Sequence, residues 1–130
     1  MSTRPQAFRL VSQAMTTNVI TVDEQATLRQ AAARLRDADV GTLVILRGRD
    51  VAGIVSERDV VRALATGADP DQVWVSDVMT DDPRYLTEAD NIGTALRIML
   101  AAGIRHLPVL SESQLVGIVS MRALAEHLLQ

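Results

Sequence analysis

The sequence predicts an α+β fold: two tandem β-α-β-β-α repeats, packed sheet to sheet with pseudo-twofold symmetry. Three observations predict it. First, one stretch of chain is written twice, 64 residues apart and without a gap. Val11-Ser12 and Met15-Thr16 return as Val75-Ser76 and Met79-Thr80, and Gly53-Ile54-Val55-Ser56 with Arg58 returns as Gly117-Ile118-Val119-Ser120 with Arg122, so that 15 of 56 aligned positions are identical. Second, each copy holds a segment with apolar residues at helical spacing. Third, each copy holds two apolar runs separated by a short turn, the pattern of a hairpin. Two copies are too few for a solenoid, so a pair with a cleft between its halves is expected.

The elements follow in order. Residues 1–10 read as an irregular arm from which Phe8 and Leu10 could tuck onto the body. The first repeat spans 11–66, a linker 67–74, and the second repeat 75–130. Val11–Met15 and its echo Val75–Met79 read as short helical turns. Val19–Val22 is rich in β-branched residues and reads as a strand. Thr27 with Gln30 three residues on is a capping-box pattern, and Leu28, Ala31, Ala32, Leu35 and Ala38 line one face of the helix that follows. In the second copy Asn91 is the cap and Ile92, Ala95, Leu96, Met99 and Ala102 form the apolar face. Gly103 suits the left-handed stop after that helix, while Asp39 holds the same place in the first copy. Thr42–Leu46 is a continuous apolar strand expected to be covered on both faces. Arg47–Asp50 turns the chain into Val51–Val55, and Ser56 opens a second helix through about Ala65. The second copy repeats this as Leu107–Leu110, a turn at Ser111–Gln114, Leu115–Val119 and a helix from Ser120. Pro108 lies inside a strand and must sit at an edge or near the strand start, where its missing N–H does no harm.

Composition narrows the function. The chain has 130 residues, 48% of them hydrophobic, with one Trp, one Tyr and one Phe, so the core is aliphatic. About 60 residues per copy make a marginal core alone. There is no cysteine, which excludes disulfides, thiol catalysis and cysteine-type zinc sites. Two histidines are too few for a histidine-rich metal site, and no metal is expected. A net charge of −3 argues against general nucleic-acid binding. No apolar run approaches the roughly 20 residues that span a bilayer, and residues 1–10 lack the apolar centre of a signal peptide. The expected compartment is cytoplasmic. All thirteen basic residues are arginine, which reads either as a composition bias or as the use of a side chain suited to phosphate, and composition alone does not choose between them.

The repeated motifs resemble those of the CBS-domain pair, or Bateman module. The residues that carry the resemblance are Met15-Thr16, Gly53 to Asp59, Met79-Thr80, Ile104 to Val109, and Gly117 to Arg122. It covers roughly residues 10–129. The resemblance implies a non-catalytic regulatory sensor that binds an adenosine-containing ligand such as AMP, ADP or ATP in the cleft between the copies. It also implies a homodimer and output through an unidentified protein partner, with no catalytic cofactor.

The sharpest local signal is Ser56-Glu57-Arg58-Asp59. A carboxylate is an acceptor able to meet a vicinal diol, and the amides at a helix start form an anion site. The same Ser-x-x-Asp pattern also reads as a helix cap. What the resemblance implies is that Ser56, Arg58 and Asp59 bind ligand, completed by Thr80, Arg84, Tyr85, Ile104, Arg105 and His106 from the opposite copy. It implies a weaker second cleft from Thr16, Ile20, Thr42, Ser120 and Arg122, because Asp59 is matched there by Ala123, which accepts no hydrogen bond. The basic side chains Arg84, Arg105 and His106 face Ile20, Gly41 and Thr42 at the matched positions, so one strong site is expected.

The alternative reading is a scaffold that dimerises or docks a partner without ligand. The helices from Ser56 and Ser120 are the candidate faces, through Val60, Val61 and Leu64 in one and Leu124, Leu128 and Leu129 in the other, unless these side chains are core. Catalysis is not expected: nothing resembles the Gly-x-Ser-x-Gly nucleophile elbow.

Overall fold

The computed structural model describes residues 6–130, so the first five residues of the expected arm lie outside it. It is α+β, with two small sheets and four α-helices. The chain forms two compact units. One is contiguous, Val19–Pro83; the other is split, joining the segment that ends at Asn18 to Arg84–Gln130.

The contiguous unit runs β1 (Thr21–Asp23), α1 (Leu28–Ala38), β2 (Thr42–Arg47), β3 (Asp50–Ser56), α2 (Glu57–Ala65) and β4 (Thr80–Asp81). Its sheet has the order β1-β2-β3-β4, with β1 parallel to β2 and the other pairs antiparallel. Leu28, Ala31 and Leu35 of α1 pack with Leu43 and Ile45 of β2, Val55 of β3, Val60 of α2 and Val75. Val44, between Leu43 and Ile45, is fully buried as well, so β2 is covered on both faces as its unbroken apolar run predicts.

The split unit runs β5 (Leu86–Thr87), α3 (Ile92–Ala102), β6 (His106–Ser111), β7 (Gln114–Ser120) and α4 (Met121–Leu128), in a sheet of order β5-β6-β7. Val11 joins its core, with Leu86, Ile92, Ala95, Met99, Leu107, Val109, Val119 and Leu124. The arm docks through its backbone, where the Val11 amide donates to the Asp90 carbonyl and Ile92 to Arg9. The Phe8 ring does not tuck in. It is 55% exposed, and the arm is held by the main chain of Arg9 and Val11 instead.

The helix ends are those the sequence predicts. The Gln30 amide donates to Thr27 Oγ1 at 3.2 Å and the Thr27 amide to Gln30 Oε1 at 2.9 Å, closing the capping box. Asn91 accepts from the Thr94 amide at 2.8 Å. Asp39 and Gly103 both stop their helices in the left-handed region, at φ 55° and 68°. The hairpin turn Glu112-Ser113 is less comfortable, since two non-glycine residues hold φ of 49° and 68°. Such two-residue turns favour Asn-Gly. Replacing Glu112-Ser113 by Asn-Gly should therefore raise stability by about 1 kcal/mol, read as a higher urea midpoint at an unchanged slope.

The repeated motif halves explain each other. A Cβ built on Gly53 would lie 2.5 Å from Met79 Sδ and 2.7 Å from the Thr80 carbonyl oxygen. One built on Gly117 would lie 2.6 Å from Met15 Sδ and 3.0 Å from the Thr16 carbonyl oxygen. Glycine is needed because a second backbone crosses there. In sequence Gly53 and Met79-Thr80 belong to different copies, yet they meet within the contiguous unit, and Met15-Thr16 meets Gly117 in the split unit. Beside β3 this crossing segment forms a fourth strand, β4, where three were expected. The residues between the repeats are also engaged: Leu28 and Arg29 donate their amides to the Val73 and Pro70 carbonyls, and Arg29 Nε meets Asp71 Oδ1 at 2.5 Å.

Candidate functional site

In the contiguous unit, the end of β3 delivers Ser56 to the N-cap of α2. Thr42 lies opposite Ser56 on β2, and Thr80 lies opposite Ile54 on β4. Thr42, Ser56 and Thr80 thus stand on three adjacent strands, beside the N-terminus of α2. Asp59 closes a capping box: the Ser56 amide donates to Asp59 Oδ2 at 2.8 Å, the Ser56 hydroxyl to the same oxygen at 3.0 Å, and the Asp59 amide to Ser56 Oγ at 3.2 Å. The capping reading of Ser-x-x-Asp is therefore realised. It does not exhaust the carboxylate, because both bonds fall on Oδ2 and Oδ1 accepts none among the described residues.

The helix start offers fewer amides than its sequence implies. The Glu57 amide donates to the Gly41 carbonyl at 2.9 Å, and the Asp59 amide is held by Ser56. The Arg58 amide is the one left without a partner among the described residues of this turn. The sequence marks Gly41 only as the uncharged counterpart of Arg105; the fold gives the two the same backbone role, since the Arg105 carbonyl takes the Met121 amide at 2.8 Å in the same way.

The split unit repeats the arrangement with different chemistry. Ser120 caps α4 through the Ala123 amide at 3.1 Å, His106 lies opposite Ser120, and Thr16 bridges to Ile118 with paired bonds of 2.9 and 3.0 Å. Ala123 supplies no carboxylate, so the Ser120 cap is one-sided. Arg84, Arg105 and Arg122 are exposed, Tyr85 is 57% exposed, and Ile104 and His106 are half-buried.

The structure thus brings Ser56, Arg58, Asp59 and Thr80 together in one unit, along with Thr42. Ile20 belongs to the same unit, its carbonyl accepting from the Val44 amide. Arg84, Tyr85, Ile104, Arg105 and His106 belong to the split unit, with Thr16, Ser120 and Arg122. Two surface ion pairs shift the acidity of their members. The Arg29 hydrogen bond holds the Asp71 carboxyl below its ordinary value, and Arg36 does the same for Asp37. Among the described residues no cluster of three acidic, histidine or cysteine side chains could hold a metal, and no helix is long and apolar enough to cross a membrane.

Two hairpins, each entering a serine-capped helix and each crossed by a Met-Thr segment, match a known module. The family model for the CBS domain matches residues 11–66 and 75–130. The chain belongs to the CBS-domain family. It carries two CBS domains in tandem. It is 42% identical over 121 residues to an uncharacterized 17.7 kDa protein of Acidianus ambivalens, covering 92% of this chain and 73% of that protein. It is 35% identical over 116 residues to hypoxic response protein 1 of Mycobacterium tuberculosis, covering 88% of this chain and 81% of that protein. Among solved structures it superposes on a CBS domain protein of Pyrobaculum aerophilum complexed with AMP, with a TM-score of 0.83 and 26% identity, covering 92% of this chain and 98% of that one.

Proposed function

We propose that this tandem CBS protein is a non-catalytic, cytoplasmic regulatory module that binds an adenosine-containing ligand of the AMP, ADP or ATP class. The observation that carries the reading is Asp59. Two bonds to Ser56 fix its carboxylate through Oδ2, and Oδ1 remains for a ribose hydroxyl. The Arg58 amide at the positive end of α2 suits an anionic group. Thr80 stands one strand away, opposite Ile54. The remaining proposed ligand residues, Arg84, Tyr85, Ile104, Arg105 and His106, add positive charge for phosphate and an aromatic face for a base. The AMP carried by the Pyrobaculum relative supports the same class. A second, weaker site would use Thr16, Ile20, Thr42, Ser120 and Arg122, and lacks a carboxylate at Ala123.

A thermal-shift screen with AMP, ADP, ATP, NAD and S-adenosylmethionine tests the reading. A ligand that binds the folded state alone stabilises it by mass action, by about 2.7 kcal/mol at a hundred times its dissociation constant. We expect a dose-dependent rise in midpoint with at least one adenine nucleotide. No shift at millimolar concentration would favour the second reading, a ligand-free scaffold.

That second reading, and a homodimer with either, draws on the outer faces of α2 and α4. Val60 and Leu124 are core residues and drop out of the expected interface, because their helices turn them onto the sheets. Val61, Leu64, Leu128 and Leu129 remain exposed. A monomeric mass in solution would reject the dimer.

A further inference from the structure

The arm and the linker are one element used twice. Residues 6–10 lie 64 positions before 70–74, and the two segments make matching bonds. The Ile92 amide donates to the Arg9 carbonyl at 2.9 Å, and the Leu28 amide to the Val73 carbonyl at 2.9 Å. The Val11 amide donates to Asp90 at 2.8 Å, and the Val75 amide to Ala26 at 2.7 Å. Leu10 bridges Asn91 as Trp74 bridges Thr27. Each segment thus clasps the N-terminus of a helix, α3 or α1. The two clasps are not equally fastened. On α1, the Arg29 amide donates to the Pro70 carbonyl at 2.9 Å, and the guanidinium grips Asp71 through Nε at 2.5 Å and Nη2 at 3.0 Å. On α3 the matched pair is Gly93 and Ala7. They carry no charge, and the Gly93 amide donates to nothing among the described residues. Close approach replaces the ion pair: a Cβ built on Gly93 would lie 3.3 Å from the Ala7 carbonyl oxygen and 3.5 Å from Ala7 Cβ. Two exposed side-chain bonds remain, Gln6 Nε2 to the Gln130 carbonyl at 2.7 Å and Arg9 Nη1 to Gln130 Oε1 at 3.5 Å. Covalent connection differs too. Residues 66–70 run from the end of α2 into the linker clasp within one unit. The matched positions, 130 and 6, are not consecutive, and the chain leaves the arm for the contiguous unit at Val19.

We propose that residues 6–10 form a releasable strap on α3, which lifts while the rest of the split unit stays folded, and that 70–74 are its locked counterpart on α1. Local opening draws on segments with few buried contacts and exposed backbone bonds, and Ala7, Phe8 and Leu10 are exposed. Val11, fully buried, is where the strap ends and the core begins. Lifting frees the Ile92 amide and the Asn91 bridge at the start of α3. On α1 the same movement would have to break the Arg29–Asp71 pair and one more backbone bond. The exchange of Arg-Asp for Gly-Ala at matched positions is therefore what makes one clasp fixed and the other mobile.

Amide hydrogen exchange, read residue by residue and corrected for intrinsic rates, tests this. In the wild type the Ile92 amide should be at least about tenfold less protected than its match Leu28. It should also be less protected than Ile104, whose bond to the Met99 carbonyl at 3.0 Å lies at the other end of α3. A disulfide supplies the converse. The chain has no cysteine, and the 3.5 Å separation at Gly93 and Ala7 is within the Cβ spacing that a disulfide spans. In the Ala7→Cys/Gly93→Cys variant, oxidation should raise Ile92 protection to the Leu28 level and reduction should lower it again. At the other clasp, Asp71→Ala should speed Leu28 exchange about two- to fivefold and leave Ile92 unchanged. A wild-type Ile92 amide as protected as Leu28 overturns the proposal. Ile92 protection equal to that of Ile104 also overturns it, since the split unit would then open as a whole. So does Ile92 exchange that oxidation leaves unchanged, and a disulfide that fails to form would place Ala7 away from Gly93 and overturn it as well.

Discussion

Gly53→Ala is expected to cost about 1–3 kcal/mol of folding stability, the usual scale for overpacking a filled site. The added methyl would lie 2.7 Å from the Thr80 carbonyl oxygen and 2.5 Å from Met79 Sδ. The methionine can rotate, but the carbonyl belongs to β4, which is paired to β3 at Gly53–Asp81 and Ile54–Thr80. Relief requires moving a strand. Gly117→Ala should cost less, because its backbone neighbour, the Thr16 carbonyl oxygen, stands at 3.0 Å. Gly41→Ala is the control. Its methyl would meet the tip of a flexible side chain, Glu57 Oε1, at 3.2 Å, and the reduced freedom of the unfolded chain works in its favour by about 0.4–1 kcal/mol. Urea denaturation of the three variants should rank them Gly53→Ala, Gly117→Ala, Gly41→Ala from least to most stable. A Gly53→Ala protein as stable as the wild type would mean that β4 is not held against β3.

Asp59→Ala is expected to weaken adenine-nucleotide binding by about 1.5–3 kcal/mol, the range for hydrogen bonds to a charged group, or roughly ten- to 150-fold. The same change removes the acceptor of the Ser56 amide, so a loss of stability of about 1 kcal/mol accompanies it. Asp59→Asn separates the two effects. Its side-chain oxygen can still take the Ser56 amide, but the second oxygen becomes a donor nitrogen. Calorimetry should therefore find near-normal stability and lost affinity in Asp59→Asn, and unchanged affinity in both variants would remove Asp59 from any ligand site. Ala123→Asp is the converse experiment. It supplies the missing half of the Ser120 cap and should stabilise α4 by about 0.5–1 kcal/mol even without nucleotide.

Much of this was legible from residue order. The capping box of Thr27 and Gln30, the Asn91 cap, the left-handed stops at Asp39 and Gly103 and the burial of β2 depend on neighbours within a few positions. Local spacing is enough to reveal them. The candidate site was legible in residue type and less so in commitment. Ser56, Arg58 and Asp59 announced a helix start, yet only the fold discloses that Gly41 takes the Glu57 amide, that both protein bonds to Asp59 fall on one oxygen, and that Val60 and Leu124 are spent on the core. Pro108 was visible as an anomaly within a strand. Its consequence, a β5–β6 pairing shorter by one than that of β1 with β2, required the register.

By itself the sequence determined the repeat, the four helices and the hairpins; the need for glycine at 53 and 117 came from the fold, where another backbone crosses each. Tertiary structure alone decided which Met-Thr crosses which glycine. The physical reason is degeneracy: Val11-Ser12 with Met15-Thr16 and Val75-Ser76 with Met79-Thr80 carry the same side chains at the same spacing, so either could fill either groove. The long-range pairing of β4 with β3, and of Thr16 with Ile118, selects one arrangement. It leaves Val19–Pro83 as one unit and closes the other from the two ends of the chain.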